Sequence, residues 1–312
     1  MRSGFLIQWS AICLVLTVAC QRSVQRSPAE LGIVSTEPER ALGEPTEPPG
    51  ATSSPAPDPG RGRAASDGAR PSPEEVQVLF LHHSTGGNIW RGGVPEWIGR
   101  YNLRHRTRYT VTAVEFPKHT PYGWNNYPYD YWNIWVNHAG PAPYQEEPTL
   151  ELLTQQYQVI IWKHCFPVGK MEEDSGNGDV ASDRRTKENY MLQYLALKNK
   201  MRQFPTTRFI VWTGAALVRT ATNPGAAART RAFFDWVGRE WDEPGDNIFI
   251  WDFWQLETGG GLYLLPKNAV SSNDAHPHPD FAARVAPLLG QRIVDVIEGR
   301  GDSGSVTGET TG

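Results

Sequence analysis

Val78-Leu79-Phe80-Leu81-His82-His83-Ser84-Thr85-Gly86-Gly87 is the stretch whose reading decides the fold. Its first half is a short apolar run, the pattern of a strand buried on both faces of a parallel sheet. Its second half turns abruptly polar, and a helix-like segment follows over residues 88–105, interrupted at Pro95. In open α/β sheets, ligands bind beyond the carboxyl ends of the strands, so a serine at this point stands at the mouth of a crevice. The paired glycines allow a sharp turn and a close backbone approach. Ser84 is therefore a candidate nucleophile, with successive backbone N–H groups of the turn aimed at a developing oxyanion. The plainer alternative is a serine that caps the next helix.

Outward from that stretch, the chain repeats the same grammar. Residues 109–116 alternate in a β-like way. Apolar runs at 159–162, 208–212 and 247–251 predict three more strands. Helical patterns at 186–204, 226–241 and 279–298 separate or follow them, the first with Tyr190, Tyr194, Leu197 and Met201 on one face. Strands alternating with helices predict an α/β fold: a three-layer α/β/α sandwich around a mainly parallel five-stranded sheet, over residues 75–298. The polar residues expected at the strand ends are Ser84, Gly123 and Asn125, Lys163 and His164, Thr213 and Asp252. Just before the last helix comes Asn273-Asp274-Ala275-His276-Pro277, which offers His276 as a general base and Asp274 as its orienting acid.

Other residues have competing readings. His82 and His83 alternate faces, so one of them at most points into the crevice, and His83 is the candidate for substrate binding. His82, His83, His164, His276 and His278 converging with Asp252 or Asp274 would suit a metal, but the chain has no His-x-x-x-His helical pair, and no metal or other cofactor is assigned. His278 reads as a helix-start residue, and Cys165 as an inert buried thiol. Asp252 and Glu257 would serve as a glycosidase carboxylate pair, though a strand-end aspartate more often anchors its own loop. The Tyr122-Gly123-Trp124-Asn125-Asn126-Tyr127-Pro128-Tyr129-Asp130-Tyr131-Trp132 stretch reads either as a substrate platform or as a packed loop.

The arrangement resembles the SGNH/GDSL hydrolase superfamily, also written SGNH-hydrolase/flavodoxin-like for its sandwich. In that family a serine follows the first strand, a glycine lies in the loop after the second, an asparagine in the loop after the third, and an Asp and a His precede the final helix. Ser84, Gly123 and Asp274/His276 fall in that order. The resemblance implies a serine esterase with the Ser84 and Gly123 amides in its oxyanion hole. Three departures are plain. Gly-Asp-Ser-Leu is replaced by His82-His83-Ser84-Thr85-Gly86. Lys163-His164-Cys165-Phe166-Pro167 carries no asparagine, which leaves the third oxyanion donor to Lys163, His164 or Asn125. The usual Asp-x-x-His is compressed, with Asp274 two places before His276. The chain is more closely similar to a branch of SGNH-like proteins with His-His-Ser, Lys-x-Cys-Phe-Pro and Asp-x-His-Pro blocks.

The ends read differently. A charged start and an apolar run over residues 5–19 describe an export signal too short to be a stable membrane span. Its close, Leu16-Thr17-Val18-Ala19-Cys20, resembles a bacterial lipoprotein signal, which implies lipidation at Cys20, a membrane anchor and a place at the cell envelope. Residues 20–74 are rich in Pro, Glu, Ser and Gly and poor in aromatics, the composition of a flexible tether. Residues 299–312 are expected to be a disordered tail. A net charge of -4 with both signs dispersed gives no basic stripe for nucleic acid. The expected partner is an ester-bearing small molecule or polysaccharide, and the rival classes are a non-catalytic glycan-binding lipoprotein on the same fold and a metal-dependent hydrolase.

Overall fold

The computed structural model describes residues 75–123 and 125–310. The signal, Cys20 and the tether lie outside the described residues, as does Trp124. Strand β1 (Glu75–His82) is followed by helices α1 (Thr85–Arg91) and α2 (Val94–His105), then β2 (Arg108–Glu115). Short helices α3 (Pro128–Trp132) and α4 (Leu150–Leu153) precede β3 (Val159–Trp162). Then come α5 (Lys187–Met201), β4 (Arg208–Trp212), α6 (Pro224–Trp236), β5 (Ile248–Trp251) and α7 (Phe253–Thr258). A two-stranded ribbon, β6 (Ala269–Ser271) and β7 (Asp274–Pro277), leads into α8 (Pro279–Ile297).

Strands β1 to β5 form one parallel sheet in the order β2-β1-β3-β4-β5, with helices on both faces. This is the three-layer α/β/α sandwich expected from the sequence. The register makes the two faces legible. Leu79, Leu81, Ile160, Trp162, Phe209 and Val211 point one way, into a core shared with α3, α5 and α6. Val78, Phe80, Val159, Ile161, Ile210 and Trp212 point the other way, into a core shared with α1, α2 and α8. Both faces being covered is why the strands read as continuous apolar runs.

The chain leaves the final helix without becoming the tail that composition suggested, and residues 299–310 are a correction. Val306 O accepts the Asp252 amide at 2.8 Å, Thr307 O accepts the Trp251 indole N–H at 3.0 Å, and Gly301 O accepts from Arg292 at 2.7 Å. β5 is an edge strand, and the polar groups at its end need partners. The C-terminal segment supplies them, so the folded unit extends past residue 298.

Candidate active site

Strand β1 stops because the backbone of Ser84 adopts φ 36° and ψ -95°, a left-handed value costly for a residue with a side chain. The chain then enters α1 directly, and Gly86 makes this possible. A Cβ there would stand 2.5 Å from His82 Cβ and 2.9 Å from Lys163 Cδ, so only glycine lets the helix start lie this close to the strand ends. The turn leaves Ser84 partly exposed.

The partner comes from the other end of the domain. His276 lies on β7, and its Nε2 is hydrogen-bonded to Ser84 Oγ. Its Nδ1 lies 2.6 Å from Asp274 Oδ1. The same carboxylate oxygen accepts the His276 backbone N–H at 2.9 Å. The compressed Asp-x-His spacing works because both residues lie on a strand, where side chains two apart share a face. The bond from the His276 amide, joined by the ring N–H, holds the Asp274 carboxyl below the usual aspartate range. An ionised Asp274 selects the tautomer with the proton on Nδ1, leaving Nε2 to accept the Ser84 hydroxyl proton. Phe166 packs edge-on against the His276 ring with centroids 4.9 Å apart. The sequence does not single out Phe166 for this contact; its place within the Lys-x-Cys-Phe-Pro block is the one hint.

The remaining candidates divide. Gly123 has φ 79°, but its amide donates to His119 O at 2.7 Å, closing a tight turn, so this N–H is engaged and does not stand free for an oxyanion. Asn125 is exposed, its amide held by Asp130 Oδ2 at 3.2 Å, and no contact joins it to Ser84 among the described residues. His83 is buried, with Nε2 2.5 Å from Pro117 O. His164 is fully buried, bonded to Tyr194 Oη at 2.7 Å and packed among Tyr131, Trp162 and Tyr194. The structure thus does not bring His164 to the Ser84–His276 pair, because the residue after Lys163 faces the opposite side of the sheet. Lys163 does lie beneath the Ser84 turn, fully buried. The amide of Ser84 itself meets no acceptor among the described residues.

Other sequence readings resolve simply. His278 caps α8, its Nδ1 accepting from the Asp280 amide at 3.2 Å. Asp252 caps α7 and accepts from Thr213 Oγ1 at 2.9 Å, while Glu257 is buried on the Ala216 amide at 2.7 Å. Both carboxylates thus hold the segment that follows β4, and Asp252 also its own helix start. The aromatic stretch is mainly a packed loop, with Tyr127, Tyr131 and Trp132 buried. Among the described residues, no three His, Cys, Asp or Glu side chains gather as a metal site would require.

The site is partly open to solvent. The His276 and Asp274 side chains retain 38% and 44% of their exposure. Among the described residues, two clefts lie elsewhere, one of about 240 Å³ near Arg231, Asp242 and Trp254, the other of about 450 Å³ near Val218, Tyr263 and Leu264. Neither is lined by Ser84 or His276. What marks this place as a candidate site is the hydrogen-bonded chain from Ser84 through His276 to Asp274.

No family model and no curated protein matches the chain. Among solved structures it is similar to an acetyl xylan esterase, at 11% identity and a TM-score of 0.43, covering 68% of this chain and 96% of that one. It is also similar to a gut microbial diltiazem-metabolizing enzyme, at 12% identity and a TM-score of 0.42, covering 76% of this chain and 49% of that one. These likenesses are too loose to carry a role across, and the chemistry of the site rests on its own geometry.

Proposed function

We propose that the protein is a serine ester hydrolase. The observation that carries this reading is the unbroken chain Ser84 Oγ–His276 Nε2, His276 Nδ1–Asp274 Oδ1, between residues 192 apart in sequence. Such a chain is the working part of a triad, recognised by geometry and not by sequence order. Ser84 Oγ attacks the ester carbonyl while His276 Nε2 takes the hydroxyl proton. The carbonyl oxygen becomes an oxyanion, received by the free N–H of Ser84. The intermediate collapses, the alcohol leaves with the proton from Nε2, and Ser84 is left acylated. A water then repeats the sequence with His276 as base and frees the acid. An alcohol in place of that water would make the same site an acyltransferase.

The openness of the site favours a substrate whose bulk stays in solvent, such as an O-acylated polysaccharide. The lipoprotein-like ending at Cys20 supports a place at the cell envelope, where such polymers lie. The SGNH resemblance supports the same chemistry through the order of Ser84 and Asp274/His276.

The test uses the full chain with short-chain aryl esters and a fluorophosphonate probe. We expect turnover, labelling at Ser84, and a loss of at least about a thousandfold in kcat for Ser84→Ala. A folded wild-type protein that neither turns over esters nor takes the label would sink the reading. Glycan binding that survives Ser84→Ala and His276→Ala, without turnover, would select the binding-protein alternative.

A further inference from the structure

The proposed mechanism leaves unused a buried cation beneath the serine turn. Lys163 is the first residue beyond β3 and points to the same face as Val159, Ile161 and Phe80, with none of its surface exposed. An ammonium group in such a place is costly, and a well-packed apolar side chain of similar volume usually serves stability as well or better. Its Nζ lies 5.7 Å from the centre of the Trp212 ring. Among the described residues its hydrogen bond is to His83 O, at 3.4 Å. Burial pulls the ammonium below the ordinary lysine range, against the attraction of Cys165 and Glu257. Glu257 is also fully buried, and burial pushes its carboxyl well above the usual range, with Lys163 opposing.

The acceptor of that bond gives the cation its meaning. The His83 carbonyl and the Ser84 N–H belong to one peptide unit. In a trans peptide the C=O and N–H point in opposite directions. A carbonyl drawn inward to Lys163, and to the Gly86 amide at 2.8 Å, turns the Ser84 N–H away from the core. Donors on the carbonyl also polarise the amide, so the N–H on its far side becomes a stronger donor. That N–H meets no acceptor among the described residues.

We propose that Lys163 is a positioning residue for the oxyanion donor: it holds the His83–Ser84 peptide so that the Ser84 N–H faces the reacting carbonyl. This rests on the serine-hydrolase reading and reassigns Lys163 from a direct oxyanion contact to one that acts through the backbone. The His82 imidazole, on the same face, is depressed to about 4 by burial and by Lys163, so it stays neutral and does not compete as a cation at neutral pH.

The experiment compares Lys163→Met with the wild-type full chain in ester hydrolysis and in binding of a boronic acid, which forms a tetrahedral adduct on the serine. Losing one oxyanion donor outright costs about a hundred- to a thousandfold in kcat, so misaiming it is expected to cost about ten- to a hundredfold. KM is expected to stay within about twofold, and boronic acid affinity to fall in step with kcat/KM, because the effect appears only in the tetrahedral state. Lys163→Met/Glu257→Gln removes both buried ionisable groups and keeps an acceptor for Ala216. It is expected to melt near the wild type with kcat still depressed, and it carries the test should the single variant fail to fold. A folded single or double variant with kcat within about threefold of wild type overturns the proposal, as does a kcat that returns along with stability in the double variant. If the wild type itself is inert to ester and fluorophosphonate, the hydrolase reading falls and this one with it; an active wild type beside an unaffected Lys163→Met overturns this proposal alone.

Discussion

Two neighbouring strands at the centre of the sheet end in three polar or reactive residues each, and only one end opens. β1 ends in His82-His83-Ser84, and β3 is followed by Lys163-His164-Cys165. After β1 the backbone breaks at Ser84 into a left-handed turn and a helix, so the serine is delivered to the surface. After β3 the aromatic loop closes over the chain. Tyr131 Oη donates to Lys163 O at 2.7 Å, and the Cys165 amide donates to Asn126 O at 2.8 Å. Lys163, His164 and Cys165 stay buried in consequence. A polar residue at a strand's carboxyl end is thus not yet a site. What the backbone does next, and what lies over it, decides.

The strongest challenge to this contrast is Gly86→Ala. The added methyl meets His82 Cβ, which has no freedom to swing aside, and the stem of Lys163. Helix α1 must then shift away from the sheet and take Ser84 with it. We expect fluorophosphonate labelling to slow more than tenfold and stability to drop by about 1–3 kcal/mol, as overpacking does. Wild-type labelling in this variant would show that the turn is fixed by something other than the close approach. His164→Phe tests the closed end. It keeps an aromatic ring in the cluster but leaves the Tyr194 hydroxyl without its partner, a cost of about 1–2 kcal/mol. Thermal melting should register that loss while kcat stays within about twofold. A tenfold fall in kcat with normal melting would put the end of β3 inside the site.

The same contrast explains what could be read from the sequence. The five strands were legible because a sheet covered on both faces needs apolar runs, and Val78-Leu79-Phe80-Leu81 and Val159-Ile160-Ile161-Trp162 are such runs. The pairing of Ser84 with His276 was expected from motif order, a serine after the first strand and an Asp-x-His just before the last helix, although His276 lies on the β6–β7 ribbon and not on the parallel sheet. Asp274 needed one more fact, the strand conformation of residues 274–277, which turns a two-residue spacing into a shared face. Gly123 was misplaced because a glycine's position says nothing about where its N–H is spent, and here His119 O takes it. His164 was misplaced because strand alternation beyond Trp162 puts it opposite Lys163. The C-terminal segment was misread because composition records what a segment could bury by itself, while Val306 and Thr307 lend their carbonyls to an edge strand already folded.

The smallest effect concerns the knot that keeps the β3 end closed. Asp130 gathers the aromatic loop: its Oδ2 accepts the amides of Asn125 and Tyr127 at 3.2 Å each, and its Oδ1 accepts from Tyr122 Oη at 3.1 Å. Burial raises its carboxyl from 3.8 to about 6, with those donors pulling the other way. A carboxyl raised in the folded state binds its proton more tightly there than in the unfolded chain. Its stabilising contribution is therefore complete below about 3.8 and is lost as pH climbs through about 6. Asp130→Asn cannot titrate, so its melting temperature should change less than the wild type's between those two values, with the gap between the two proteins varying across that window and levelling off above it. Parallel melting curves for the two proteins from acid to neutral pH would mean that Asp130 is not a titrating group of the folded loop, and that the seal over Lys163 and His164 rests on Tyr131 and Asn126 alone.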